Sequence, residues 1–171
     1  GRTALRRQRE RESAARGRRY FEEREWVPYA RISPHLRRAV LIAEDDAFFA
    51  HGGLDWNEIR ESAKQDLRSG RLVRGGSTIT QQLARNLWLG TARTPLRKLE
   101  EVLLAVRLER ALTKKQIFEL YLNVIEWGDG VYGCEAAARH WFGTRAAALD
   151  ARQSVRLAAV IINPRRFSPL D

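Results

Sequence analysis

Apolar positions along the chain recur with the period of a helix, not of a strand. After Thr94-Pro95, residues Leu99, Val102, Leu103, Val106 and Leu108 fall close to a 3.6-residue repeat, which predicts an amphipathic helix opened by a capping residue and a first-turn proline. Ser33-Pro34 gives the same start, and the helix it opens is predicted to run through RRAVLIAEDDAFF, residues 37–49. Capping-box spacing recurs at Asp55/Glu58, Thr78/Gln81, Thr113/Gln116 and Asp150/Gln153. Gly128, Gly130 and Gly133 break the chain after Asn123, and Asn163-Pro164 stops the last helix. Alternating strand patterns, repeats and long low-complexity tracts are absent. The expectation is one mainly α domain over residues 26–171, preceded by a lead-in over residues 1–25.

Composition refines that picture. A chain of 171 residues with 44% hydrophobic content is long enough for one domain with a real core. The net charge is +10, and lysine contributes only Lys64, Lys98, Lys114 and Lys115, so arginine dominates. Such a balance points to an anionic partner without choosing among nucleic acid, an anionic membrane surface and a phosphorylated substrate. Residues 1–25 hold nine arginines and five glutamates, which predicts either a solvated, partly helical or disordered segment or a juxtamembrane basic stretch. The lone Cys134 excludes an internal disulfide, and His35, His51 and His140 are too scattered to form a ligand set. The longest apolar runs, Ala39–Ala43, Val102–Val106 and Leu157–Ile162, fall far short of the roughly 18 to 20 residues that span a bilayer. The chain contains no methionine, not even an initiator, so it can be a piece of a longer protein whose membrane anchor lies outside it.

Three stretches carry candidate chemistry. In AEDDAFFAHGG, residues 43–53, an apolar helix runs into Glu44, Asp45 and Asp46 and on to Phe48, Phe49 and His51. A carboxylate held against aromatic rings loses hydration, its pKa rises, and it becomes a proton acceptor suited to neutral pH. Three acidic residues at a helix C-terminus also oppose the macrodipole, which favours a functional reason for them. In RGGSTITQQLARN, residues 74–86, Gly75 and Gly76 precede a helix start rich in hydroxyls and amides. The free amides there, with Arg71, Arg74, Ser77 and Arg85 nearby, form an expected anion site; the spacing of a nucleotide-binding phosphate loop is not met. In RKLEE, residues 97–101, Arg97 and Lys98 share a helix face with Glu101.

These stretches occur in order with KxxIFELYLN at 114–123 and RLAAVIINP at 156–164. Together they resemble the peptidoglycan glycosyltransferase family of the bacterial cell wall over about Val27 to Pro169. EWGDGVYGCEAAARHWFG, residues 126–143, resembles the single-function members. The resemblance implies a lysozyme-like, mainly α domain with a small membrane-associated jaw. It implies polymerisation of lipid II: the 4-hydroxyl of the acceptor GlcNAc attacks the donor anomeric carbon with inversion, and undecaprenyl diphosphate leaves. Residue by residue, it makes Glu44 the general base, with Asp45, Phe48 and His51 shaping its pocket. Thr78, Gln82 and Arg85 become donor-side contacts, and the family often has lysine at position 85. Arg97 and Lys98 match a diphosphate clamp, and Glu101 a second carboxylate beside the diphosphate or its Mg²⁺ or Mn²⁺. No organic cofactor is implied. The implied partners are lipid II, the growing glycan strand, the membrane surface and other cell-wall synthesis or division proteins, with no nucleic acid. The implied place is the periplasmic face of the inner membrane.

Two other readings compete. A lytic enzyme of related fold would need one acidic residue but offers no phosphate to the cations of RGGSTITQQ and RKLEE. A basic nucleic-acid module would need aromatics interleaved with its arginines, and those before residue 32 are not arranged so.

Overall fold

The computed structural model describes residues 1–52, 77–92 and 94–171. The expected capping box at Asp55/Glu58, together with Arg71, Arg74, Gly75 and Gly76, lies outside the described residues. The helices begin where their caps predict. Helix α1 covers Ala4–Ala15 behind Thr3, α2 covers Pro34–Glu44 behind Ser33, and α3 covers Ile79–Ala84 behind Thr78. Helix α4 covers Pro95–Ala111, α5 Lys114–Val124, α6 Cys134–Phe142 and α7 Ala151–Val160. Reciprocal capping boxes close the starts of α3, α5 and α7, so donors that the first turn would leave unpaired are satisfied within four residues. The mainly α architecture is the one the hydrophobic period predicts.

Two expectations are corrected. Helix α2 stops at Glu44 instead of running to Phe49, because Asp45 turns to an extended conformation (φ −170°, ψ 80°). The chain between Asn123 and Cys134 is also more than a glycine-rich break. Strands β1 (Glu23–Arg24), β2 (Glu126–Gly128) and β3 (Val131–Tyr132) form a small sheet in the order β1-β3-β2. β1 is parallel and β2 antiparallel to β3. Strands β2 and β3 are buried at every position and only two or three residues long, so no apolar–polar alternation marks them.

The core sits where α5 meets the others. Ile117, Phe118, Tyr121 and Leu122 of α5 are fully buried together with Phe48, Ile79, Leu83, Trp127 and Leu157. Asn123 fastens the entering chain to this helix: it accepts from Val27 N and donates to Val27 O, both at 2.9 Å. The segment set apart as a lead-in packs on the domain. Arg6 pairs with Glu22, Arg9 reaches the buried Glu126 at 3.1 Å, and Gln8 accepts from the Thr91 amide at 2.9 Å. Helix α1 thereby lies against the segment Arg85–Leu89 that follows α3.

One close backbone approach is at Gly133, with φ +85° and ψ 153°. A Cβ there would stand 2.6 Å from the Asn123 carbonyl oxygen. Gly133→Ala combines that clash with a conformation that costs a side-chain-bearing residue roughly 1–3 kcal/mol. We expect a urea midpoint lowered by the equivalent of about 2 kcal/mol or more, whereas Gly17→Ala, at φ +64° in open space, should cost about 1 kcal/mol.

Candidate active site

The end of α2 and the start of α3 are joined by one carboxylate. Asp45 is buried at 7% exposure. Its Oδ2 accepts the Ile79 amide at 3.0 Å, and its Oδ1 lies 2.7 Å from His51 Nε2. The acid that seemed a cost at the end of α2 is thus placed at the positive end of α3, where the helix dipole favours it. The expected anion site rests in part on Arg71, Arg74, Gly75 and Gly76, which lie outside the described residues. At the described start of α3, Asp45 takes Ile79 N, Thr78 Oγ1 takes Gln81 N, and Gln81 Oε1 takes Thr78 N, so those amides serve the fold.

The polar run that follows is spent in the same way. Thr80 donates to Glu109, which also holds Lys114 at 2.9 Å, and Lys114 Nζ sits 4.3 Å from the Phe48 ring centroid. Gln82 donates from Nε2 to Glu44 Oε2 at 2.8 Å and accepts at Oε1 from the Tyr121 hydroxyl at 2.9 Å. Each of these side chains answers a partner on another helix, which is why the run is polar although it is mostly buried.

Glu44, at the end of α2, is half-buried. Burial pushes its carboxyl pKa up, and the Gln82 amide and the charge of Arg85 pull the other way. The direction is the one the sequence predicts, but the aromatic cause is not. With α2 ending at Glu44, the helix expected to continue through Phe48 is interrupted, and the Phe48 ring packs against Phe49, His51 and Phe118.

The segment Arg85–Leu89 is a π-helical turn, closed by Gly90 at φ +74°. Its wider turn follows directly on Gln82's helix, so one element carries both the amide that meets Glu44 and the guanidinium of Arg85. Arg85 Nη1 lies 4.0 Å from Glu101 Oε2, and Lys98 Nζ lies 2.8 Å from Glu101 Oε1. Glu101 is only 4% exposed. Lys98 Nζ also donates to Ser77 Oγ at 2.8 Å. Arg97 does not join Glu101: it forms no ion pair among the described residues, and Gly90 is its close neighbour. The structure therefore brings Glu44, Gln82, Arg85, Glu101, Lys98 and Ser77 into one chain of contacts. Asp45, Thr78 and His51 brace its base, Phe48 lies behind, and Arg97 stands at its edge. Sequence reasoning missed Tyr121 and Glu109, because the first lies inside an apolar helical period and the second on a helix read for its leucines and valines.

A divalent cation near Glu101 would need further oxygen ligands beside it. Among the described residues no three His, Cys, Asp or Glu side chains converge as ligands, and both Glu101 oxygens face cations. One carboxylate so paired does not fit a metal held by the protein alone.

Fold and site define a helical domain with two partly or fully buried carboxylates linked through a polar helix and a group of cations. The chain belongs to the transglycosylase family, whose model matches residues 11–171. It is 55% identical over 143 residues, 84% of this chain, to a biosynthetic peptidoglycan transglycosylase of Methylobacillus flagellatus. Proteins of the same name from Laribacter hongkongensis and Chromobacterium violaceum are 54% and 52% identical over 142 residues, 83% of this chain. The chain spans 62% of the length of each of these relatives. The family reached from the motifs is thus the family found, and the mainly α structure agrees with the lysozyme-like domain expected of it.

Removing the joint between α2 and α3 should be costly. Asp45→Ala strands a buried amide and His51, and each hydrogen bond to a charged group contributes about 1.5–3 kcal/mol. Chemical unfolding should show a loss of about 2–4 kcal/mol, against about 0.5 kcal/mol or less for the exposed neighbour in Asp46→Ala.

Proposed function

We propose that the chain polymerises lipid II into glycan strands, with Glu44 as the general base and the cations around Glu101 receiving the diphosphate. The observation that carries this reading is the pairing of a half-buried carboxyl of raised pKa with a separate cationic group, the two linked by Gln82 and Arg85 on the segment from Thr78 to Leu89. The acceptor's 4-hydroxyl gives its proton to Glu44 as its oxygen attacks the donor's anomeric carbon. On the far side the diphosphate departs as an anion; it needs positive charge where an ordinary glycosidic oxygen would need a proton. Arg85, Lys98 and Arg97 supply that charge, and Ser77, held by Lys98, belongs to the same donor side. Arginine at position 85 keeps the charge of a lysine while offering a planar fork to phosphate oxygens. If a divalent cation takes part, the diphosphate oxygens bring most of its ligands.

The membrane is the second element of the proposal. Trp88 is half-exposed, and Leu96, Leu99 and Leu103 are exposed along one side of α4, a tryptophan-and-leucine surface suited to lying at a lipid headgroup boundary. No helix of the described residues is long and apolar enough to cross a membrane. The names of the relatives support a cell-envelope setting, and other cell-wall synthesis or division proteins are proposed as partners there.

The test is glycan polymerisation from purified lipid II in detergent with Mg²⁺. The wild type should form polymer, and Glu44→Gln should lower the rate by about 10²-fold or more. Because burial raises the Glu44 pKa and the base must be ionised, the wild-type rate should rise with pH through a midpoint above the ordinary carboxylate range. Release of fragments from preformed peptidoglycan without polymer would instead select the lytic reading.

A further inference from the structure

Tyr121 lies in the middle of α5 with its ring fully buried. A tyrosine used only for packing could be a phenylalanine, since a buried hydroxyl is favourable only where it finds a partner. Here the partner is the side chain that holds Glu44. We propose that Tyr121 is a positioning residue for Glu44, its phenol anchoring the far end of the Gln82 amide whose near end binds the carboxylate. That it thereby serves catalysis rests on the reading of Glu44 as the base.

The geometry of the amide carries the inference. Gln82 Nε2 faces two groups that can only accept, Glu44 Oε2 at 2.8 Å and the Ser77 carbonyl at 3.3 Å. Those acceptors fix which end of the amide is the donor, so Oε1 must point away from them and needs a donor of its own. The Tyr121 hydroxyl provides it at 2.9 Å. Burial pushes the phenol pKa well above its usual value, so it is an O–H donor near neutral pH. Without the hydroxyl, Oε1 would be left in an apolar setting, and the flexible side chain would turn to find water. Nε2 would leave Glu44 with it.

Consequences for Glu44 follow from the groups around it. Burial raises its pKa, Gln82 from α3 lowers it through the hydrogen bond, Arg85 from the π-helical turn lowers it through charge, and Asp45 beside it in the chain raises it. Arg85 is shared with Glu101 of α4, so it is no full substitute for the amide. Losing the amide moves the Glu44 titration upward and leaves the base protonated over more of the working range.

The experiment follows Glu44 directly, by NMR titration of glutamate side-chain carboxyl carbons in the full chain, with the Glu44 signal assigned by its absence from Glu44→Gln. In Tyr121→Phe, which keeps the ring, Glu44 should titrate at higher pH than in wild type. Gln82→Asn, too short to bridge both partners, should shift it the same way, and the double variant should shift it no further. In polymerisation assays Tyr121→Phe should lower kcat about tenfold near neutral pH with KM unchanged, the loss shrinking as pH rises. An unchanged Glu44 titration in Tyr121→Phe, or shifts that add in the double variant, would overturn the proposal and leave Tyr121 as packing. Should Tyr121→Phe fail to fold, an unchanged titration in Gln82→Asn overturns it equally. Absence of polymer from wild type would sink the functional reading alone, since the titrations still judge the link from Tyr121 to Glu44. Polymer abolished in Glu44→Gln with both rate and titration unmoved in Tyr121→Phe would sink the positioning role alone.

Discussion

Asp45 accepts the first amide of α3 while its other oxygen meets His51, and the rest of the site hangs from that joint. It ends α2 one residue after Glu44, so Glu44 is presented at a helix end instead of within a helix face. It fixes where α3 starts, which sets the direction of every polar residue on it. A buried carboxylate in such a place is stable because its two oxygens are both used, one on a helix N-terminus and one on an imidazole. The three acids at 44, 45 and 46 therefore differ in setting: Glu44 meets the Gln82 amide, Asp45 holds the joint, and Asp46 is exposed to solvent.

Charge is distributed along the same helix. Gln82 meets Glu44 with a neutral donor, which limits how far burial can raise its pKa without pairing it to a full cation. One turn later Arg85 approaches Glu101, whose other oxygen belongs to Lys98. A base needs a carboxylate that can exchange its proton, whereas an anion-receiving region needs cations held in place. Glu101 is suited to the second task, since a buried carboxylate between two cations keeps them oriented while leaving net positive charge for a ligand.

Much of this was legible beforehand. The caps at Ser33, Thr78, Thr94, Thr113 and Asp150 are local, and so are the helix starts they set. The candidate residues Glu44, Gln82, Arg85, Lys98 and Glu101 stand in ordered motifs that spacing alone brings to notice. What spacing could not show is that Arg97, four residues from Glu101, turns aside while Arg85, sixteen residues away, takes that place. The small sheet escaped notice because strands of two or three residues, wholly buried in β2 and β3 and wholly exposed in β1, carry no period. Tyr121 escaped because its hydroxyl is hidden in an otherwise apolar helix face.

The sequence by itself determined the helices, their starts and the family, because capping and amphipathic period act over three or four residues and the motifs are written in the chain. Only the tertiary structure decided what the polar helix holds. The bonds from Asp45 to Ile79, from Gln82 to Glu44 and from Tyr121 to Gln82 join residues 34, 38 and 39 positions apart. Such partners are chosen by how α2, α3 and α5 pack, since a buried polar group must find its match among whatever the neighbouring helices bring within hydrogen-bond reach.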